Sequence, residues 1–272
     1  MKSKMGICEW CLPFAGPGSI KLAADMGFDG VQIGDLGGSA CNFPMNEQWV
    51  QEAYMQTAIE KDAELQTLHL RTLAQQGTML YPRDTPQGQQ AALSIRKGVE
   101  ACSAMKIPTL FLSSFFATLI RNDYEFENYA AHLRYACDYG REKGIKIVYE
   151  SVLPIDRFLK MRELAGEDLG ILYDVVNPFV YGSGVPSDEL RAFGKDAIDQ
   201  IHVKDRGPDY KGFTLLGEGA CRVEESADVL RQLNWSGWVV SETNFFELPF
   251  VEGRSTFALI KSDLCTMRRL FG

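Results

Sequence analysis

The sequence predicts a single (β/α)8 barrel spanning residues 1–272, on three observations. Strand-like and helix-like segments alternate through eight units of about 34 residues each, close to what such a barrel requires. Four successive units finish their strands on metal-capable side chains, namely Glu150, Asp174, His202 and Glu242. The first strand, finally, is not followed by the G-x-G-x-x-G of a dinucleotide-binding sheet. Alternation alone would fit an open, doubly wound sheet. Convergence of polar groups from four strand ends favours closure, because a barrel gathers its strand C-termini round one centre.

The elements follow in order. Met5 to Glu9 reads as strand one, and Ser19 to Met26 as its helix with Ser19 at the N-cap. Gly27-Phe28-Asp29-Gly30 turns into Val31-Gln32-Ile33 as strand two, followed by a helix over 46–62. Leu65 to Leu70 is strand three, carrying His69, with Pro86 to Met105 as its helix. Strand four is Thr109 to Leu112, and the helix over Tyr124 to Lys143 stops at Gly144. Ile145 to Glu150 and Gly170 to Asp174 are strands five and six, short aliphatic runs of the buried parallel type. Their helices are Ile155 to Ala165 and a segment capped by Ser187 that runs to Phe193. Asp199 to Lys204 and Gly237 to Glu242 complete the strands, with helices over Glu224 to Leu233 and Thr256 to Leu270.

Composition narrows the function. A net charge of −8 disfavours nucleic acid and anionic membranes as partners. No run of about 18 apolar residues and no export signal is present, so a cytoplasmic protein without a membrane segment is expected. The seven cysteines are odd in number and lie mostly in helix-like or strand-like sequence, which argues against a disulfide framework. Cys8 and Cys11 form a C-x-x-C, but with no second pair they read as reduced thiols. Three carboxylates and an imidazole suit a divalent cation that prefers oxygen and accepts nitrogen.

The same residues carry a resemblance. Glu150, the run Asp174-Val175-Val176-Asn177-Pro178 with Gly182, His202-Val203-Lys204-Asp205, Leu216-Gly217-Glu218-Gly219 and Gly237-Trp238 leading to Glu242 resemble the sugar phosphate isomerase/epimerase family of xylose-isomerase-like barrels. Ketose 3-epimerases, hydroxypyruvate isomerase, and inosose isomerases and dehydratases belong to that family. The resemblance implies one divalent ion (manganese, magnesium, cobalt or zinc) on Glu150, Asp174, His202 and Glu242, with Glu150 and Glu242 as the acid/base pair. A cation bridging two substrate oxygens stabilises the enediolate left by proton loss next to a carbonyl. Two glutamates on opposite faces then epimerise the centre, one glutamate working between neighbouring carbons isomerises, and loss of a β-hydroxyl eliminates water.

The chain departs from the ketose 3-epimerase pattern at Leu153 and Asp156, where those enzymes usually carry Asn and Glu, and at Asn177, where they carry His. An amide thus replaces an imidazole. The version with Asn177 and His-x-Lys-Asp is more typical of the family's broader membership. With His69, His132 and His202 as its only histidines, the chain lacks the set that the three-zinc DNA-repair endonucleases of related fold need. Expected substrate contacts are His69, Asn177, Lys204, Arg206, Asp156, Glu9 and Trp10. Lys204 and Arg206 leave strand seven beside His202 and suit substrate oxygens or a phosphate. Gly217-Glu218-Gly219 reads as a backbone turn more than a phosphate cradle. His132 is expected to be structural or exposed. Trp10, Phe14, Phe43, Phe115, Phe116, Phe245 and Phe246 follow strands and supply apolar faces for a sugar or for a homodimer or higher homo-oligomer.

The expected function is therefore that of a metal-dependent sugar or sugar phosphate isomerase/epimerase acting on a small-molecule carbohydrate. A keto-inositol dehydratase or 3-keto-glycoside lyase would use the same ligands. A non-catalytic sugar-binding or complex-forming subunit is the alternative of another class.

Overall fold

The computed structural model of the chain describes residues 2–37, 42–247 and 249–272. Cys41 lies outside them. Eight strands join in the order β1-β2-β3-β4-β5-β6-β7-β8 as a closed parallel barrel. They are β1 Lys4–Cys8, β2 Gly30–Gly34, β3 Glu64–His69, β4 Thr109–Ser113, β5 Lys146–Glu150, β6 Gly170–Asp174, β7 Ile198–Val203 and β8 Trp238–Ser241. The helices α1 Pro17–Met26, α2 Gln48–Lys61, α3 Arg71–Gln76, α4 Pro86–Met105, α5 Asp123–Lys143, α6 Ile155–Ala165, α7 Asn177–Tyr181, α8 Pro186–Phe193, α9 Val223–Gln232 and α10 Thr256–Phe271 alternate with them. No helix among the described residues is long and apolar enough to cross a membrane. The residues group into two compact units, one of Met1–Gln32, Thr57–Glu64 and Leu172–Gly272, the other of Ile33–Gln56 and Leu65–Ile171.

In the first unit β1 pairs with β8 and β7 with β8, in a register that sets Met5 opposite Val239 and His202 opposite Val240. Helix α1 begins one turn earlier than the sequence suggests. Its N-cap is Gly16, at φ +91°, with Pro17 at the first helical position, where proline loses no hydrogen bond. Ser19 is thus inside the first turn, and its Oγ donates to the Gly16 carbonyl oxygen at 2.7 Å. Ser187 is likewise displaced as a cap, because Pro186 starts α8 and Val185 precedes it.

The second unit carries the ladder β3–β4–β5–β6, with Ser113 opposite Glu150 and Tyr149 opposite Ile171. Thr85 caps α4 by accepting from Gly88 N at 3.1 Å, and Asn122 caps α5 by accepting from Glu125 N at 2.9 Å. Gly98 lets α4 approach the sheet, for a β-carbon there would stand 2.9 Å from Leu70 Cδ2 and 3.1 Å from Leu110 Cδ1. His132 is buried on α5 and bonds the Tyr81 carbonyl through Nε2 at 3.0 Å, a structural role.

Predicted boundaries match within one or two residues at most elements, and α4, α6 and β6 coincide with their predicted limits. Glu9, Lys204 and Glu242, predicted as last strand residues, lie one position beyond β1, β7 and β8. Lys204 and Glu242 are launched from loop backbone, and Glu9 from the first residue of a 3-10 turn, Glu9–Cys11. The short α3 and α7 were not predicted, being only one to two turns long with too few apolar repeats to register.

Asp263, on α10, is 1% exposed and ties two loops to that helix. It accepts from Leu216 N at 2.9 Å and from Thr243 Oγ1 at 2.8 Å. Burial pushes its carboxyl up to about 6 against these hydrogen bonds. A folded value above the unfolded one means that this group's contribution is complete below about pH 4 and is lost as pH rises through 6. Asp263→Asn keeps the acceptor for Leu216 and removes the charge. Its stability relative to wild type is expected to improve from pH 4 to pH 7 by on the order of 2 kcal/mol, measured by urea unfolding across that range.

Candidate metal centre

Asp174 closes β6 and is 3% exposed. Its Oδ1 accepts the backbone N–H groups of Val176 at 2.7 Å and Asn177 at 2.8 Å, which turns the chain into α7. That commitment fixes the carboxylate plane and leaves Oδ2 to face the cluster. Oδ2 is buried, and among the described residues no hydrogen bond of sound geometry reaches it, although Lys204 Nζ stands 2.6 Å away. The contact is a charge pair.

His202 lies on β7 with no exposed surface. Its Nε2 is 2.6 Å from Gln32 Oε1, so the acceptor oxygen assigns the proton to Nε2 and the lone pair to Nδ1. Gln32 is held in turn, donating its amide to Gln200 Oε1 at 3.2 Å and accepting the Cys8 thiol at 3.3 Å. Imidazole Nδ1 stands 3.6 Å from Glu242 Oε2. Glu242 follows β8, with its backbone N–H on the Val203 carbonyl at 2.8 Å. Trp10 Nε1 donates to its Oε1 at 3.1 Å, and Lys204 Nζ donates to its Oε2 at 2.6 Å. Burial alone would push the Glu242 carboxyl up, but the Lys204 ammonium outweighs it and holds the group well below the usual carboxylate range. Glu242 is a carboxylate at any physiological pH.

Glu150 ends β5 and is 4% exposed, and its carbonyl accepts Ser114 N at 3.1 Å. Glu150, Asp174, His202 and Glu242 each offer one ligand atom, and these atoms all lie within 4.8 Å of one another. This donor set fits a divalent cation. Three carboxylates less the one charge of Lys204 leave two negative charges, the Asp174 oxygen lacks a hydrogen bond, and the imidazole presents a lone pair. A second trio, Cys8, His202 and Glu242, shares two members with the first. Cys8 and Cys11 are both buried thiols outside any disulfide.

The expected substrate contacts have varied surroundings. Glu9, 2% exposed, spends Oε1 on Gly16 N at 2.7 Å and Ser19 Oγ at 3.2 Å, anchoring the start of α1. Asn177 is buried at the head of α7, and Asp156 is exposed in the first turn of α6. His69 stacks on Phe111 at 3.9 Å between centroids and bonds Ser113 Oγ through Nε2 at 3.1 Å. Of the aromatics, Phe43 and Phe245 are buried, whereas Phe14, Phe116 and Phe246 are exposed.

Asp205, unassigned from sequence, organises the loop after β7. Its Oδ1 accepts from Arg206 N and Cys221 N at 2.9 and 3.2 Å, and its Oδ2 from Gly217 N and Gly219 N at 3.0 and 3.1 Å. Both glycine amides are thereby occupied, and Gly217-Glu218-Gly219 is a turn. Gly219 has no room for a side chain, since a β-carbon would fall 2.1 Å from Asp205 Oδ1. Gln32 was also missed, although a polar residue between Val31 and Ile33 in a buried parallel strand is a readable signal for an inward partner.

A barrel with such a cluster at the C-terminal ends of its strands defines a class of metal-capable (β/α)8 proteins. The chain belongs to the xylose isomerase-like TIM barrel family, whose model matches residues 20–257. It is 30% identical over 234 residues to a 2-epi-5-epi-valiolone 7-phosphate 2-epimerase of an Actinoplanes species, covering 85% of this chain and 83% of that one. Among solved structures, a D-allulose 3-epimerase from a Methylomonas species superposes with a TM-score of 0.75 at 16% identity, covering 98% of both chains. A sugar phosphate isomerase/epimerase from Parabacteroides distasonis gives 0.71 at 14% identity, covering 98% of this chain and 94% of that one.

Gln32 is positioned to fix the ligating tautomer of His202. Gln32→Met, similar in volume and without the acceptor, is expected to weaken binding of Mn²⁺ by about 10- to 100-fold. Calorimetric titration of the chelator-treated protein measures it.

Proposed function

We propose that the protein is a divalent-metal-dependent epimerase or isomerase of a sugar, a cyclitol ketone or one of their phosphates, acting by proton transfer at the carbon next to the carbonyl. The reading is carried by one observation, the approach of Glu150, Asp174, His202 and Glu242 to within 4.8 Å of one another. Its support from relatives is the 30% identical epimerase of a phosphorylated ketone and the epimerases and isomerases among the structural neighbours. A cation on those four residues would polarise the substrate's carbonyl and adjacent hydroxyl oxygens, acidifying the C–H between them.

The protein's own groups do the rest. Glu242 is ionised, braced by Trp10 and Lys204, and accepts the proton from carbon. Glu150, contributed by another strand, takes up a proton from solvent and delivers it to the opposite face, Glu242 releases its proton to solvent, and the stereocentre inverts. When one carboxylate serves both carbons, the same site isomerises. Lys204 keeps Glu242 from holding the proton it takes, so turnover requires prompt transfer to solvent or substrate oxygen.

Glu150→Gln and Glu242→Gln are each expected to retain fold and bound metal, by circular dichroism and elemental analysis. Both should lose about 10²- to 10⁴-fold in turnover. The assay is incorporation of deuterium from D₂O into a panel of ketoses, keto-cyclitols and their phosphates, read by mass spectrometry. Unchanged incorporation in both variants removes these carboxylates from proton transfer, and a product lacking the elements of water assigns the site to dehydration instead.

A further inference from the structure

The run leaving β7 carries two cations, and they have different fates. His202 on β7 and Lys204 just beyond it face the cluster, and Arg206 follows Lys204 by two residues. Lys204 is consumed by Asp174 and Glu242. Asp205, the acid nearest Arg206 in sequence, has its two oxygens filled by four backbone N–H groups. Among the described residues Arg206 has no carboxylate partner. Its guanidinium lies over the Phe213 ring, 3.8 Å from the centroid, and its Nε is buried with no hydrogen-bond partner among the described residues. Arg206 and Phe213 are also joined by an antiparallel backbone bridge, so both are held by the same fixed backbone.

An arginine so placed is unusual. Burying guanidinium N–H groups without acceptors costs free energy, and a protein that needed only packing at this point would do better with an apolar residue. Stacking on an aromatic face fixes the guanidinium plane while leaving its N–H edge open, the arrangement suited to bidentate recognition of a tetrahedral or planar anion. In a chain of net charge −8 an anionic substrate is repelled at long range, so a cation free of carboxylates, close in sequence to His202 and Lys204, favours taking it.

We propose that Arg206 is the phosphoryl-recognition residue of this site, and that the substrate class is a phosphate monoester of a ketose or keto-cyclitol. The assignment of substrate rests on the proton-transfer reading above, while the anion site itself does not. Phe213 is its positioning residue, holding the guanidinium plane.

The probe is inorganic phosphate, titrated calorimetrically into the purified protein, with D-fructose 6-phosphate and D-fructose as a matched pair. Wild type is expected to bind phosphate saturably and to prefer the phosphorylated ketose. Arg206→Met should weaken phosphate binding at least about tenfold, Arg206→Lys should fall between, and Phe213→Leu should lose a few-fold. Circular dichroism and thermal unfolding establish that each variant is folded, and Arg206→Lys keeps the test decisive if Arg206→Met is not. Absence of saturable phosphate binding in wild type, or equal binding by Arg206→Met, overturns the proposal. Glu242→Gln separates the two readings, since it should lose deuterium incorporation and still bind phosphate. If it keeps incorporation while Arg206→Met loses phosphate, proton transfer by Glu242 fails and the anion site stands. The converse pattern, incorporation lost in Glu242→Gln with no effect of Arg206→Met on phosphate, sinks the anion site alone.

Discussion

The ammonium of Lys204, 2.6 Å from both Asp174 Oδ2 and Glu242 Oε2, is the contact on which the rest of the centre depends. Two carboxylates brought that close in a buried setting repel each other, and their desolvation is costly unless opposite charge is supplied. Lys204 supplies it from the same chain segment that presents His202. A lysine this buried must itself be paired, so the three residues form one unit in which removal of Lys204 leaves two close carboxylates without opposite charge.

Around that charge unit, the protein spends hydrogen bonds on direction. Asp174 is oriented by two backbone amides, His202 by Gln32, and Glu242 by Trp10. Each partner takes one face or atom of a ligand and leaves the other to point inward. Orientation by outer groups is how metal-capable sites keep their geometry through catalytic cycles. In Asp174 the direction is set by a turn that the side chain itself nucleates.

Much of this was legible beforehand. The strand-to-helix rhythm locates all eight strands because each is a compact aliphatic run, and the four residues of the cluster announce themselves as polar residues where those runs stop. What stayed hidden has a common cause. Gln32 and Asp205 act through partners 170 and 16 residues away in the chain, and no local pattern reports such pairing. Lys204 and Arg206 are indistinguishable in sequence as cations beside His202, and only the coordinates separate the one bound to two carboxylates from the one resting on Phe213. Ser19 was misread as a cap because the helix start depends on Gly16 and Pro17, whose conformations the apolar periodicity does not weigh.

The four amides gathered by Asp205 have a consequence for how such a protein changes over generations. One carboxylate pins both ends of the segment from Arg206 to Cys221, so the residues between are relieved of holding its shape. Mutational drift there can reshape what the loop greets while the chemistry beneath is untouched. Change would be drawn from the parts of that stretch that carry no such constraint, with Asp205, the bridged pair Arg206 and Phe213, and the crowded Gly217 and Gly219 held back.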